Sequence, residues 1–348
     1  MPGTMRWLLP LLLGLLAACG HVEEVPAPPS QPGKRVALTF DDVPRAPGAF
    51  LTEDDRAGML VASLKAAGVE QAAFFVNPGH IEGPEDERRI AAYVAAGHVI
   101  ANHSATHPQL SDTDTADYLA DIDAGEEWLR GRKGHRAWFR YPYLDEGRSD
   151  KAKRDAIRAG LAERGLTDGY VTIDASDWFY EAAAKDAVAQ GHEIDRDALR
   201  DLYVQAHVDA AEFYDALARD VTGRSPAHVM LLHETDLAAL WIGDLVAALR
   251  AKGWTIISAD EAYADPFADH AKTYDTPSAQ GTLTDEANDL SFEHGDFRVR
   301  RARVDLIVDL FDSYELFLEF EGAATGGTAL RIARINAEIL DERFQLRA

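Results

Sequence analysis

Short apolar runs alternate with longer segments of helical periodicity through the middle of the chain. The apolar runs are rich in residues that favour strands, and turn or capping residues separate them from the helical segments. Strands are therefore predicted at 35–40, 72–76, 98–102, 137–140, 169–174, 228–233 and 255–258, and helices at 52–67, 85–96, 115–130, 150–164, 196–219 and 236–252. Because strands that alternate with helices pair in parallel, the pattern predicts a distorted (β/α) barrel with about seven parallel strands.

The alternation changes in two places. The segment 179–227 is longer than the other connections and predicts an added helix over one rim of the barrel. Beyond the predicted barrel domain, 35–265, strand-like runs at 304–311 and 314–320 flank a predicted turn at Asp312-Ser313. Residues 266–348 are therefore predicted to form a small β-rich C-terminal appendage, whose role the pattern leaves open.

Residues 1–19 resemble the signal peptide of a bacterial lipoprotein. A positively charged start precedes the apolar run 7–18, which is too short for a stable membrane anchor. The run ends in Leu16-Ala17-Ala18-Cys19-Gly20, which is similar to a lipobox and implies lipidation of Cys19. Glycine after the cysteine implies anchoring in the outer membrane, facing the periplasm or exported; the alternative is a plain signal peptide with an incidental cysteine. The proline-rich residues 20–34 predict an extended tether.

Composition narrows the classes of partner. The chain has 348 residues, is 47% hydrophobic and carries a formal net charge of −24. Nucleic acid and anionic membranes attract basic surfaces, so this charge argues against both, and membrane contact is expected only through the lipid on Cys19. A neutral substrate such as a sugar remains compatible with the charge. Cys19 is the single cysteine, so no intrachain disulfide can form, and no protein partner is predicted.

Residues that can bind metal or move protons follow several of the predicted strands. Since the carboxyl ends of parallel strands meet at one rim of a barrel, these side chains are expected to face one another there. They are Asp41, Asp42, Asn102, His103, Arg140, Asp174 and His233. One carboxylate and two neutral imidazoles, from His103 and His107, make a three-ligand site that leaves a position open for water, as in catalytic zinc sites. The second carboxylate is then free to move protons.

Five motifs in order along the chain resemble those of the polysaccharide deacetylases, the family-four carbohydrate esterases. They are Thr39-Phe40-Asp41-Asp42, His103-Ser104-Ala105-Thr106-His107-Pro108, Arg140-Tyr141-Pro142-Tyr143, Asp174-Ala175-Ser176-Asp177-Trp178 and Leu231-Leu232-His233-Glu234. The resemblance covers the predicted barrel and not the appendage. The chain departs from the family pattern at Glu234, where aspartate is usual, and at Leu144, where glycine usually follows Tyr143.

The resemblance implies a role for each of five residues in the first three motifs. Asp42, His103 and His107 would bind a divalent metal, with zinc the expected ion and cobalt, nickel or manganese the alternatives. Asp41 would be the general base that takes a proton from the metal-bound water. Arg140 would pair with Asp41 and keep it ionised.

The fourth and fifth motifs would supply the acid side of the reaction. The resemblance makes His233 the general acid that protonates the leaving amine, and Asp174 the residue that holds His233 in the correct tautomer and raises its pKa. For Asp177, a place in the turn beside the strand end is at least as good an interpretation as a direct role in the site. The resemblance therefore assigns the carboxylate partner of His233 to Asp174.

The remaining motif residues would bind the acetyl group. The resemblance implies that the backbone N–H of Tyr143 helps to stabilise the oxyanion, and the loss of one such donor typically costs about 10²–10³ in rate. Leu231 and Trp178 would wall a small apolar pocket for the acetyl methyl. Core packing is an equally good interpretation of Trp178.

The resemblance implies a metal-dependent hydrolase that removes N-acetyl groups from amino-sugar glycans, of the chitooligosaccharide or peptidoglycan type. A close alternative is an esterase that removes O-acetyl groups from a polysaccharide. A second alternative, of a different class, is a glycan-binding lipoprotein without catalytic activity, although a binding module needs neither Asp41 nor Asp42. The partner implied in each case is a glycan.

Overall fold

The computed structural model of the 348-residue chain describes residues 33–277, 282–284 and 286, and the backbone of four strands within 306–347. The predicted signal peptide with Cys19, the tether as far as residue 32 and the turn at Asp312-Ser313 lie outside the described residues. Within the described part, each helix is too short or too polar to cross a membrane.

Eight parallel strands form one sheet in the first and larger part of the chain. The strands are β1 (Arg35–Val43), β2 (Ala73–Val76), β3 (Val99–Asn102), β4 (His135–Phe139), β5 (Thr167–Asp168), β6 (Ile173–Asp174), β7 (Ala227–His233) and β8 (Thr255–Ile256). Their order across the sheet is β5-β4-β3-β2-β1-β7-β6, and β8 pairs with the start of β1. The predicted strands are confirmed, with one exception at the fifth.

The predicted fifth strand, 169–174, is two short strands. The segment 167–174 pairs with β4 at its beginning, through β5, and with β7 at its end, through β6. The N–H of Gly169 donates to the Phe139 carbonyl (2.7 Å), and that of Thr172 donates to the Val229 carbonyl (3.0 Å). Because one segment joins both ends of the sheet, the architecture is a distorted (β/α) barrel, as predicted.

Glycine is required where this segment crosses the barrel. A Cβ atom at Gly169 would lie 2.8 Å from the Phe75 ring and 3.1 Å from the Phe139 carbonyl oxygen. Both distances are shorter than ordinary van der Waals contact, and the carbonyl belongs to backbone that cannot easily move. The close approach of β5 to β4 therefore depends on the absence of a side chain here.

Nine α-helices have defined bounds in the described part of the chain. They are α1 (Glu53–Ala66), α2 (Pro84–Ala95), α3 (Thr115–Leu129), α4 (Lys151–Glu163), α5 (Asp177–Ala189), α6 (Arg196–Thr222), α7 (Asp236–Ala251), α8 (Ala259–Tyr263) and α9 (Phe267–Thr273). The six predicted helices are confirmed, to within three residues at each end, while α5, α8 and α9 were not predicted. Thr52 caps α1 by accepting a hydrogen bond from the Asp55 N–H (3.1 Å), which is one half of a capping box.

The main core lies between the sheet and helices α1, α6 and α7. In it the rings of Phe40 and Phe74 stack with centroids 4.9 Å apart, and those of Phe74 and Tyr93 stack at 4.1 Å. All three side chains are fully buried, and each such burial contributes roughly 1.5–3 kcal/mol to folding. This packing holds β1 and β2, and with them the strand ends that carry the site.

The C-terminal part contains four antiparallel strands: β9 (Leu306–Phe311), β10 (Tyr314–Phe320), β11 (Ala333–Ile339) and β12 (Glu342–Arg347). Their order in the sheet is β12-β11-β10-β9. The two strands predicted at 304–311 and 314–320 are thus present as β9 and β10, whereas α9, which also lies within 266–348, packs Phe267 and Ala271 against strand residues of the barrel.

Candidate active site

The carboxyl ends of the strands converge on one open cleft with a volume of about 510 Å³. Nine of the ten barrel residues to which the resemblance gives a role line it, namely Asp41, Asp42, His103, His107, Tyr143, Asp174, Trp178, Leu231 and His233. The tenth, Arg140, is fully buried behind Asp41. The lining also includes Arg45, Gln109, Tyr141, Leu144 and Arg148, to which the sequence gave no role.

Asp42, His103 and His107 form a compact set of possible metal ligands. The Oδ1 atom of Asp42 lies 3.1 Å from His107 Nε2 and 3.5 Å from His103 Nε2, and all three ligand atoms lie within 4.8 Å of one another. Ligands about 2.0–2.1 Å from a tetrahedral ion stand roughly 3.3–3.4 Å apart. Asp42 Oδ1 is buried and has no hydrogen-bond partner among the described residues. An acceptor atom left in this way fits a divalent metal.

The tautomer of His103 also suits metal binding. Its Nδ1 lies 2.8 Å from the carbonyl oxygen of Arg140, which can only accept a hydrogen bond. Nδ1 must therefore carry the proton of the neutral ring, and the lone pair of Nε2 points towards Asp42 and His107. Burial alone would raise the pKa of Asp42, but the closeness of His103 and His107 and the charge of His233 hold that pKa well below its usual value. The carboxylate is ionised, as a ligand must be.

Hydrogen bonds within the loop after β3 hold the two imidazoles in place. Asn77 donates from Nδ2 to the carbonyl oxygen of His103 (2.5 Å), and the Ser104 N–H donates to Asn102 Oδ1 (2.7 Å). The His107 N–H in turn donates to Ser104 Oγ (3.0 Å). Because the donors and acceptors are buried or half-buried, this loop presents both histidines from a fixed backbone.

Strained backbone is concentrated at the cleft. Seven described non-glycine residues have a positive φ, and five of them line the cleft, with φ between 51° and 63°: Asp42, His107, Tyr143, Leu144 and Arg148. Each such conformation costs on the order of 1–3 kcal/mol and persists where the surroundings impose it. Their position at a single cleft is typical of a functional site.

Arg140 and Asp41 form a buried ion pair. The Nη1 atom of Arg140 donates to both carboxylate oxygens of Asp41, at 2.9 and 3.1 Å. Nη2 donates to the Tyr263 hydroxyl (2.7 Å), and the guanidinium lies over the Phe75 ring, 4.2 Å from its centroid. Asp41 Oδ2 is 3.7 Å from His103 Nε2. The second carboxylate therefore stands beside the ligand set, paired as expected, and Tyr263 of α8 is a support that the five motifs do not include.

The carboxylate partner of His233 is Asp177, not Asp174. His233 Nδ1 is 2.6 Å from Asp177 Oδ1, and the His233 N–H donates to Asp177 Oδ2 (2.8 Å). Asp174 instead accepts a hydrogen bond from the Ser176 N–H (2.7 Å). Ser176 has a φ of 55°, and this left-handed turn starts α5 so that its first residue, Asp177, reaches the ring. The prediction for Asp174 is therefore wrong, and the turn interpretation of Asp177 is replaced by a direct contact.

The environment of His233 favours the protonated ring. Burial alone would lower its pKa, but the charge and the hydrogen bond of Asp177, with smaller contributions from Asp42 and Asp41, raise the pKa to about 9. Burial likewise tends to raise the pKa of Asp177, and His233 and His207 lower it overall. His233 Nε2, the atom not used by Asp177, faces Asp42 Oδ2 at 3.9 Å. It can therefore deliver a proton into the cleft.

Three residues form the outer wall of the cleft. Leu231 is buried, whereas the side chains of Trp178 and Tyr143 are 41% and 58% exposed. The Tyr143 ring packs on His107 with centroids 4.6 Å apart. An indole with this exposure is not a core residue, so Trp178 lines the cleft and the core-packing interpretation is wrong.

The sequence is similar to a described protein family and to a curated protein. Residues 29–163 match the family described as Polysaccharide deacetylase. A chitin deacetylase of Colletotrichum lindemuthianum is 28% identical to this chain over 243 residues, covering 68% of this chain and 82% of that protein. The family match includes the first three of the five motifs, and the similarity to this relative supports a deacetylase, which is a hydrolase.

Solved structures show a similar, more distant likeness. A family 4 carbohydrate esterase from Streptomyces lividans in complex with acetate is 23% identical with a TM-score of 0.44, covering 67% of this chain and 97% of that one. The structure of the chitin deacetylase from Colletotrichum lindemuthianum is 22% identical with a TM-score of 0.49, covering 68% of this chain and 89% of that one. In both cases the likeness extends over about two thirds of the present chain.

Proposed function

We propose that this chain is a metal-dependent hydrolase that removes N-acetyl groups from amino-sugar glycans of the chitooligosaccharide or peptidoglycan type. The observation that carries the proposal is the placement, in one cleft, of three possible metal-ligand atoms, a carboxylate paired with an arginine and an imidazole paired with an aspartate. Hydrolysis of an acetyl amide is accelerated by a base that takes a proton from water and an acid that protonates the leaving nitrogen, and we assign these roles to Asp41 and His233.

Asp42, His103 and His107 would hold the metal. A bound divalent ion, with zinc the expected one and cobalt, nickel or manganese the alternatives, would lower the pKa of water and polarise the acetyl carbonyl. The unpartnered Asp42 Oδ1 and the Nε2 lone pair of His103 support the fit. Asp42 supplies the charge that a site of two neutral imidazoles lacks.

Asp41 is the base in this proposal. Arg140 donates hydrogen bonds to both oxygens of Asp41, at 2.9 and 3.1 Å, and these bonds hold the carboxylate beside the metal-ligand set. Oδ2 is the oxygen on the side of His103, and it accepts the proton of the attacking water. The guanidinium balances the negative charge of Asp41 in a buried place, which an unpaired carboxylate could not occupy without a large desolvation penalty.

His233 is the acid and favours the amide over the ester reaction. Its pKa, raised to about 9 by Asp177, keeps the ring protonated at neutral pH. The leaving nitrogen of an amide must be protonated to depart, whereas the leaving oxygen of an ester needs less help. O-acetyl ester hydrolysis remains the second candidate, because the same cleft accepts either carbonyl. Leu231 and Trp178 offer apolar surface for the acetyl methyl.

The test is acetate release by the full-length chain from a panel of N-acetylated and O-acetylated glycans, after treatment with a chelator and after addition of zinc. Zinc-dependent release from a chitooligosaccharide or peptidoglycan fragment is the expected result. Release only from O-acetylated glycans would favour the esterase. Glycan binding without any release would favour a binding lipoprotein, and Asp41→Asn would then bind as the wild type does.

A separate proposal concerns location. We propose that Cys19 carries a lipid that anchors the chain to the bacterial envelope, at the outer membrane facing the periplasm or exported, because the residues before it resemble a lipobox. Expression in a Gram-negative host and detergent phase separation would test this. The wild type should enter the detergent phase, and Cys19→Ser should remain in the aqueous phase. Equal partitioning of the wild type and Cys19→Ser would favour the alternative, a plain signal peptide without lipidation of Cys19.

A further inference from the structure

We propose that Arg45 is a positioning residue that fixes the orientation of the metal ligand Asp42. The inference rests on the proposed function, because it assigns Asp42 to the metal. Arg45 follows the first motif and lines the cleft, but neither the motifs nor the sequence pattern gives it a task. Its side chain is 28% exposed, so its place is not explained by core packing.

The two oxygens of Asp42 have different partners. Arg45 donates from Nη1 to Oδ2, whereas both imidazoles face Oδ1, at 3.1 and 3.5 Å. Oδ1 is the atom without a hydrogen-bond partner among the described residues. Arg45 therefore occupies one oxygen and leaves the other directed at the ligand set, which selects a single-oxygen mode of metal binding. Hydrogen bonds of this kind to ligating carboxylates are typical of metal sites.

The backbone of Arg45 is held on both sides by a buried ion pair. Its N–H donates to Glu234 Oε2 (2.9 Å), and its carbonyl accepts a hydrogen bond from Arg56 Nη2. Arg56 also donates to the Ala46 carbonyl (2.9 Å) and lies 3.8 Å from Glu234. Glu234 and Arg56 are each 1% exposed. Because the backbone of this loop is held in place, the guanidinium of Arg45 is kept in one position beside Asp42.

Glu234 links this loop to the strand end that carries the acid. It directly follows His233, its N–H donates to the Asp41 carbonyl (3.2 Å), and it accepts a hydrogen bond from the Tyr93 hydroxyl. Position 234 is also one at which the chain departs from the family pattern. The glutamate at this position thus contacts Arg45, and Arg45 in turn contacts Asp42, the proposed metal ligand.

In a competing interpretation, the guanidinium of Arg45 occupies the position of the metal. Arg45 would then have to move away before an ion can bind. The two interpretations predict opposite effects on affinity. Removal of a positioning residue weakens metal binding, typically by about 10–100-fold, whereas removal of a competitor tightens it. The geometry favours the first, because the guanidinium is on Oδ2 and the imidazoles are on Oδ1.

The experiment is calorimetric titration of Zn²⁺ into the metal-free full-length chain. Arg45→Ala should raise the Kd for zinc by about 10–100-fold, and Arg45→Gln, which keeps an N–H donor, should lose less. Arg148→Ala is the matched control, since Arg148 lines the same cleft and its recorded ion pair is with Asp145 at 3.8 Å, not with Asp42. It should change the Kd by less than about twofold.

Three results would overturn the inference. An unchanged Kd in Arg45→Ala shows that Arg45 does not position Asp42, and a lower Kd shows that it competes with the metal. An equal loss in Arg148→Ala shows a general effect of charge in the cleft. The failure of the wild type to bind zinc would instead remove the metal from the proposed function. Circular dichroism of each metal-free variant separates loss of fold, which Arg45→Gln should avoid, from loss of affinity.

Discussion

The two sides of the cleft are built differently. The metal side, Asp42, His103 and His107, comes from the ends of two strands and the short loop after one of them. The acid side, His233 with Asp177, pairs a strand end with the first residue of a helix. The residues of the metal side are placed by two strand ends. The acid side depends in addition on a turn at Ser176, which sets where the helix begins.

The difference teaches which contacts a motif can predict. On the metal side the ligand types and the strand ends were sufficient, because parallel strands bring their carboxyl ends together. On the acid side two carboxylates, Asp174 and Asp177, are three residues apart, and a single left-handed residue between them decides which reaches His233. Such a choice depends on local backbone geometry that the sequence pattern does not reveal.

The largest effect is expected from the metal side. His107→Ala removes one of three ligands and should reduce both zinc affinity and acetate release by more than the roughly 10–100-fold typical of outer contacts. Zinc titration and acetate assays would measure this, with the exposed His80 changed to alanine as the control. Near-normal zinc affinity in His107→Ala would show that the ion binds elsewhere.

The acid side offers a test between two neighbouring carboxylates. Asp177→Asn should lower kcat for amide hydrolysis by about 10²-fold or more, because His233 loses the partner that sets its tautomer and its charge. Asp174→Asn, the matched control, should cost less than about tenfold, since its recorded bond is to Ser176. The reverse order of effects would restore Asp174 as the partner of His233.

The protonation of His233 provides a pH test of the same contact. Its pKa of about 9 lies above the value of about 6.5 expected in the unfolded chain. Protonated His233 therefore stabilises the fold fully below about pH 6.5, and this contribution is lost as the pH rises through 9. NMR titration of the metal-free protein should show the ring titrating near pH 9, and at lower pH in Asp177→Asn. An unchanged value in the variant would exclude Asp177 as the cause.

A histidine remote from the cleft should behave in the opposite way. Burial lowers the pKa of His98 to about 4, and its Nδ1 accepts a hydrogen bond from the Ala72 N–H (3.2 Å). The unfolded chain binds a proton here below about pH 6.5 and the folded chain does not, so stability falls as the pH drops towards 4. The full loss is on the order of 3 kcal/mol.

His98→Gln, which keeps an acceptor, should flatten the decline in the free energy of unfolding between pH 6.5 and 4. Urea unfolding at several pH values would measure it, with the exposed His80→Gln as the control. A decline as steep in His98→Gln as in the wild type would show that other groups cause the acid sensitivity.

Much of the fold and of the metal side could be predicted from sequence. Alternating apolar and helical segments gave the parallel barrel, because periodicity reflects which face of each element is buried. The carboxylates and imidazoles at strand ends gave the ligand set, because the strand direction places them at one rim. The division of the strand predicted at 169–174 could not be read, since its two halves pair with β4 and β7, which are far apart in sequence.

What the sequence by itself determined was the kinds of residue available at the rim: two carboxylates, two spaced imidazoles, an arginine and a further histidine. The tertiary structure alone decided which of them touch. It placed Asp177 rather than Asp174 on His233, Tyr263 on Arg140, and Arg45 on Asp42. The physical reason is that a hydrogen bond or ion pair requires atoms within a few ångströms, and such distances follow from turns, helix starts and packing between segments far apart in the chain.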